Sequence, residues 1–178
     1  MKKNYKKYIA GGLAMAITTT TLGTATPVFA HENSSVREII QTLNLSTSEL
    51  AEYDRITNIF VEQYGKEGIT EVVNQSLGVT ASPKDERGAV SITAKVLLKL
   101  LKEKGSAIIK AIKKIPGVGT AIGNFLEKHM GSLINFLEKV NGGAEAALIR
   151  FFTEVMGLKQ STAEIWADVI MTVVGMFL

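Results

Sequence analysis

The sequence predicts an all-α protein, a compact bundle of short amphipathic helices that follows an N-terminal signal peptide. Two patterns predict the helices: apolar residues after residue 34 recur three and four positions apart, and no run alternates as a strand would. The chain has no cysteine, so its fold depends on a hydrophobic core rather than on disulfides. The 148 residues after residue 30 of this 178-residue chain are enough to bury such a core.

The first thirty residues have the pattern of a secretory signal peptide. Four lysines, at positions 2, 3, 6 and 7, precede a mostly apolar run over residues 9–21. Val28 and Ala30 fit the −3 and −1 positions of a cleavage site, so we expect cleavage after Ala30 and a secreted, extracellular protein. A retained membrane anchor is the alternative, but threonines and Gly23 interrupt the apolar run, which is short for a span.

Three helical segments follow, and together they form an acidic propeptide over residues 31–78. The predicted helices cover residues 35–43, 46–64 and 67–77, with Gly65 and Gly78 at the ends of the second and third. In the second, the apolar positions that share a face are Leu50, Tyr53, Ile56, Ile59, Phe60 and Tyr64. Residues 31–88 hold ten Asp or Glu against five Lys or Arg, a net charge of −5.

Residues 79–88 lack any periodicity and mix charges with Pro and Gly, which is typical of an exposed linker. An exposed linker is where proteases cut. The candidate cleavage region consists of Ser82, Pro83, Lys84, Asp85, Glu86, Arg87 and Gly88.

A basic helical domain begins after the linker and covers residues 89–178, with a net charge of +4. Residues 90–104 and 108–115 form two predicted helices separated by Gly105 and Ser106, each with lysines opposite an apolar face. These lysines are Lys95, Lys99, Lys102, Lys104, Lys110, Lys113 and Lys114. Pro116 and Gly117 end the second helix, and Thr120 is predicted to cap the next one.

The five residues NFLEK occur twice, beginning at Asn124 and, eleven residues later, at Asn135. Eleven residues make about three helical turns, so both copies present the same face. The repeat therefore predicts a core stripe, with Phe and Leu inward, and not a duplicated ligand site. His129 lies within this stripe, and we expect a partly buried histidine hydrogen-bonded to a carbonyl or to solvent rather than a metal ligand or general base.

Two further helices, over residues 144–156 and 161–177, complete the prediction. Ser161 and Glu164 have the spacing of a capping box at the start of the last helix. That helix is apolar nearly all round, so it is either central in a bundle or adapted to lipid. Its uncharged stretch, residues 169–178, is about half of a bilayer span and cannot cross a membrane alone.

The sequence contains no motif that recommends an enzyme, so we expect none, and no cofactor or metal. Residues 117–123 only superficially resemble a phosphate-binding loop, since no strand is predicted before them and no Lys-Ser/Thr pair follows. With two histidines and no cysteine, a structural zinc site is improbable. The lysines are not interleaved with arginine and aromatic residues, which argues against nucleic acid as a partner.

The arrangement of signal peptide, acidic segment, linker and basic helical block resembles secreted bacteriocin precursors of Gram-positive bacteria, of the enterocin V and streptococcin A type. The residues that carry the resemblance are 1–30, the acidic stretch to Gly88 and KVLLKLLKEKGSAIIKAIKKIPGVGTAIGNF, from Lys95 to Phe125. The resemblance implies that an extracellular protease releases an antimicrobial C-terminal part, which acts on the membranes or surfaces of competing cells.

We therefore expect the lysines to attract the chain to anionic membranes and a set of apolar residues to insert. The expected insertion residues are Leu97, Leu101, Ile108, Ile112, Trp166 and Phe177. Before cleavage, the acidic part is expected to shield the lysines and the folded precursor to hide the apolar faces. The alternative is a secreted helical interaction protein, an adhesin or an inhibitor, that binds a protein partner.

Overall fold

The computed structural model describes residues 45–79 and 92–178. The predicted signal peptide, the helix predicted over residues 35–43 and all of the linker except Val79 lie outside these residues. The described helices are α1 (Thr47–Tyr64), α2 (Ile69–Ser76), α3 (Ala94–Ile112), α4 (Gly119–Lys139), α5 (Ala144–Arg150) and α6 (Gln160–Gly175). A π-helical segment, Phe151–Val155, directly continues α5. The described part of the chain contains no strand, so the predicted all-α fold is confirmed there.

Helix α6 occupies the centre of the bundle. It contacts α1, α2, α3 and α5. Its side chains are buried on several sides, with Trp166, Ala167, Val169 and Val173 completely inaccessible to solvent. A helix apolar nearly all round needs neighbours on every apolar side, and this bundle supplies them.

Helices α3 and α4 form an antiparallel pair joined by a short turn around Pro116 and Gly117. Helix α3 runs without interruption through Gly105, so the prediction of two helices separated at Gly105 was wrong. Gly105 is buried at the contact between the two helices, and a Cβ added there would lie 3.7 Å from Cε of Met130. The hydrophobic face extends over both predicted helices, and its burial outweighs the weak helix propensity of one glycine.

Helix α4 confirms the interpretation of the repeated NFLEK sequence. In both copies the Phe and Leu are buried, at Phe125, Leu126, Phe136 and Leu137, while the Asn, Glu and Lys residues are exposed. Helix α4 passes through the exposed Gly131 without ending. The two copies thus form one continuous core stripe.

Helix α1 begins and ends as predicted, and all residues of its predicted apolar stripe except Ile59 pack in or against the core. Ser46 and Glu49 form a capping box, and Gly65 ends the helix with a φ of 71°. Ile59, which the spacing assigned to the core, is 48% exposed. Asp54 and Thr57 are also buried, because they bond to Thr162 and Trp166 of α6.

The N-caps predicted at Thr120 and Ser161 are wrong. Helix α4 begins at Gly119, so Thr120 lies inside it, and α6 begins at Gln160, so Ser161 is not its N-cap. Neither helix has a side-chain cap. Glu164 instead accepts a hydrogen bond from the side chain of Gln160, at 2.9 Å.

Backbone hydrogen bonds fix the start of α3 to the connection between α4 and α5. The N–H of Ala94 donates to the carbonyl oxygen of Gly142 at 2.9 Å, and the N–H of Ala144 donates to that of Ile92 at 2.7 Å. This short antiparallel bridge holds the N-terminal ends of α3 and α5 side by side.

Substituting Gly105→Ala is expected to raise the free energy of unfolding by about 0.5–1 kcal/mol. The added methyl group meets Met130 at an ordinary contact distance, and alanine favours the helix. Gly119→Ala is the matched control and is expected to destabilise the protein, because its Cβ would lie against the carbonyl oxygen of Ile112. Urea unfolding of both variants tests this, and a loss of stability in Gly105→Ala would contradict it.

Candidate functional site

The lysines predicted to attract membranes all lie on α3 or in the turn that follows it. Six of them are exposed, whereas Lys113 is half-buried and its stem lies over Gly123 of α4. They project opposite the apolar side of α3, which faces the core. The predicted separation of charge and apolar surface on this helix is therefore present in the folded chain.

Several of these lysines are paired, but with acids of the same half of the chain. Lys102 contacts Glu138 at 2.6 Å, Lys113 contacts Glu127 at 2.7 Å and Lys99 lies 4.0 Å from Glu103. No ion pair joins an acid of residues 45–79 to an α3 lysine; in that segment Glu49 pairs with Lys128, Glu52 with Arg55 and Asp54 with Lys159. Exposed pairs of this kind stabilise a fold by less than about 1 kcal/mol and open easily.

Three of these lysines have no ion-pair partner in the described part of the chain. Among residues 45–79 and 92–178, no ion pair involves Lys95, Lys110 or Lys114. Lys104 differs, since its ammonium donates to the carbonyl oxygen of Phe177 at 3.1 Å and lies 6.0 Å from the centre of that ring. It therefore helps to hold the C-terminal turn against α3.

The residues predicted to insert into membranes belong to the core of the folded chain. Five of the six are buried, and Phe177 is half-buried. The five buried residues are Leu97, Leu101, Ile108, Ile112 and Trp166. In this conformation they are not available to lipid, so insertion requires the bundle to open.

The acidic side of the molecule, residues 45–79, packs on α6, and we call it the covering segment. Phe60, Ile69 and Val73 are its buried apolar residues. The ring of Tyr53 makes edge contacts with Trp166 and Phe125, at 5.1 and 5.7 Å between centroids. The covering segment therefore completes the aromatic core around Trp166.

A buried polar cluster joins the covering segment to α6. Asp54 accepts a hydrogen bond from the hydroxyl of Thr162 at 2.6 Å and pairs with Lys159 at 2.9 Å. The indole N–H of Trp166 donates to the hydroxyl of Thr57 at 2.9 Å. These bonds satisfy groups that would be costly to bury unpaired, so they fix how α1 lies on α6.

This cluster was not predicted, because the face predicted for α1 contained only the apolar residues of the stripe. Asp54 and Thr57 are three residues apart in α1, between Tyr53 and Phe60. Polar residues at such a spacing on an apolar stripe are the signal that was available. Their partners, more than a hundred residues away, were not visible from local spacing.

His129 is buried, with 8% of its surface exposed, and its ring lies 4.8 Å from that of Phe125. The hydrogen bond predicted for it is absent at Nε2, which has no partner among the described residues. Burial is the main cause that lowers the pKa of His129, and the charge of Lys128 lowers it further, while Glu49 acts in the opposite direction. The neutral imidazole is thus the form that fits this core.

A groove of about 390 Å³ lies between α3 and α4. Leu101, Ile109 and Met130 are its apolar lining residues. Two lysines, Lys102 and Lys110, are balanced by Glu103 and Glu127, so the lining has no net charge.

No described helix combines the length and the apolar character needed to cross a bilayer. Within residues 45–79 and 92–178, no cluster of three His, Asp or Glu is placed to hold a metal ion. The predicted signal cleavage site at Ala30 and the candidate proteolytic linker, Ser82 to Gly88, lie outside the described residues.

Comparison of the chain with protein-family models, with curated proteins and with solved structures finds no match.

Because folding lowers the pKa of His129, the imidazole is protonated first in the unfolded chain, near pH 6.5, as the pH falls. The contribution to stability is complete above that pH and is lost as pH falls toward the lower pKa of the folded state. We expect the free energy of unfolding to fall between pH 7 and 5.5, by less than about 1.4 kcal/mol per pH unit. His129→Gln should reduce this slope.

Urea titrations at several pH values measure the slope in both proteins. The carboxyl groups with lowered pKa do not confuse the comparison, since Glu49, with a pKa of about 2, titrates far below this range in the folded state. His31 is present in both proteins and cancels. Equal slopes in the two proteins would contradict the prediction.

Proposed function

We propose that the chain is a secreted antimicrobial precursor of the bacteriocin type. A protease that cuts within residues 79–88 releases the C-terminal helical portion, residues 89–178, which acts on the membranes or surfaces of competing cells. One observation carries the proposal. The apolar helix α6 and the lysine-bearing helix α3 belong to one side of the linker, and the segment that keeps α6 covered belongs to the other.

The exposed face of α3 supports attraction to an anionic surface. Each lysine near such a surface contributes about 1 kcal/mol at best, and salt reduces this value. The ion pairs of Lys102 and Lys113 are partly exposed, so both lysines can exchange their partners for lipid phosphates. Attraction alone gives reversible adsorption, and lasting attachment requires apolar side chains to enter the lipid.

The covering segment supports a requirement for cleavage. In the intact chain it buries Trp166 and satisfies the indole N–H through Thr57. When the covering segment leaves, this side of α6 loses its contacts with Tyr53 and with α2 and faces solvent or lipid. An exposed apolar face next to a lysine-rich helix is the combination that inserts into a membrane surface.

Dye leakage from anionic vesicles tests the proposal. Fragment 89–178 is expected to cause leakage at concentrations at which intact 31–178 causes little, because only the fragment has α6 uncovered. Vesicles of neutral lipid should leak much less with either protein. If neither protein caused leakage from anionic vesicles, the proposal would be contradicted.

A charge-matched pair of variants of the fragment tests the role of α3. Replacing Lys95, Lys110 and Lys114 by Gln is expected to weaken binding to anionic vesicles about 100-fold at low salt, at ~1 kcal/mol for each charge. The control replaces Lys128, Lys139 and Lys159 by Gln, which removes the same charge outside α3. Equal losses in the two variants would show that net charge, rather than the α3 face, directs binding.

A second candidate function is that of a secreted helical interaction protein, an adhesin or an inhibitor, with a protein partner. It is favoured by the burial of five of the six insertion residues, as in an ordinary soluble bundle. Such a protein would leave anionic vesicles intact both before and after cleavage of the linker. The leakage experiment therefore separates the two functions.

A further inference from the structure

The ends of the covering segment and of the C-terminal bundle, residues 92–178, are each fixed on their own side of the linker. The N–H of Val79 donates to the carbonyl oxygen of Asn74 at 2.9 Å, so α2 closes on itself. On the other side, Ala94 is bonded to Gly142 at 2.9 Å. A cut within residues 80–91 therefore breaks none of these described bonds.

We infer that the C-terminal bundle has a binding surface for residues 45–79 as a separate chain, and that the cut protein persists as a noncovalent two-chain complex. The membrane-active form then appears on dissociation, not on cleavage. This deepens the proposed function by naming what regulates it, and it rests on that function only for the consequence in the membrane.

The apolar part of the surface spans three places on the bundle. Leu50 packs over Gly157, in the connection before α6. A Cβ added at Gly157 would lie 3.8 Å from Cδ1 of Leu50. Phe60 packs against Gly117, in the turn between α3 and α4. A Cβ added at Gly117 would lie 3.3 Å from Cδ2 of Phe60. Tyr53 lies between them on the aromatic core. Contacts this far apart hold a two-helix segment in one orientation.

Polar contacts add specificity to the apolar ones. Asp54 accepts from Thr162 and pairs with Lys159, and Thr57 accepts from Trp166. A segment that lacked an acceptor at these positions would leave buried donors of α6 unsatisfied. The surface is thus suited to a helix with this pattern.

Net charge also favours association. The covering segment holds six Asp or Glu and two Lys or Arg, a net charge of −4, whereas residues 92–178 hold eleven Lys or Arg and seven acids, a net charge of +4. Glu49 and Lys128 form one direct pair across the interface, at 3.2 Å. Opposite net charges speed encounter and slow separation, and both effects decline with salt.

The experiment uses the full chain after the signal peptide, with a specific protease site placed at residues 82–88. After complete cutting, the two pieces should co-elute in size-exclusion chromatography at micromolar concentration. Trp166, the single tryptophan, reports separation, because dilution or salt that removes Tyr53 and Thr57 should shift its emission to the red. Pieces that elute separately at micromolar concentration would overturn the inference.

Asp54→Ala should raise the dissociation constant of the cut complex about 10- to 100-fold, the effect expected for loss of a buried, charged acceptor. Glu62→Ala is the matched control, since it removes the same charge from an exposed position of α1. Circular dichroism of the uncut variants establishes that both fold. Equal effects of the two substitutions would overturn the assignment of the surface to Asp54 and its partners.

Vesicle leakage by the cut complex separates this inference from the proposed function. Excess peptide 45–79 is expected to suppress leakage at least tenfold, whereas the Asp54→Ala peptide should suppress it much less. Pieces that separate at once yet cause leakage would overturn the inference and leave the function standing. Pieces that stay together, with no leakage even by purified 89–178, would overturn the function alone.

Discussion

Helix α6 is apolar on nearly every side, and the rest of the fold follows from the need to surround it. Helices α3 and α5 cover part of it, and α1 and α2 cover another part. Trp166, at the centre, makes ring contacts with Tyr53, Phe125 and Phe152, so one side chain joins the covering segment, α4 and the π-helical segment. Exposing that helix would cost about 25 cal/mol for each Å² of apolar surface returned to water, which is why the covering segment matters energetically.

The same apolar faces serve the folded bundle and would serve a membrane. The inner face of α3, through Leu97 and Ile108, is wholly buried against its neighbours. In the proposed membrane-bound state the same face would find an equally apolar environment, so the two states would compete for one set of side chains. The exposed lysines on the opposite face favour whichever state brings them close to anions. In the proposed function, cleavage and dissociation would act by shifting this competition.

Local patterns predicted the helices well and the tertiary contacts poorly. Apolar spacing predicted the existence of α4 and α6, because apolar residues recur along both helices, but it did not give the correct N-caps. Gly105 was misread as a break because its neighbours on α4 are not visible in the sequence around it. Of the candidate site, the exposed lysines could be predicted from spacing, whereas the pairing of Asp54 with Thr162 could not. A hydrogen bond between residues far apart in the chain produces no repeating pattern in the sequence.

The bonds between α1 and α6 join residues 108 and 109 positions apart. Such contacts close a long loop, and the entropy cost of closure must be met before they can stabilise the fold. During synthesis the covering segment is therefore complete long before its partner helix exists. The aromatic core cannot close until the final helix, sixteen residues near the C-terminus, has been made. The covering segment therefore cannot reach its place on α6 until nearly all of residues 45–175 have been synthesised.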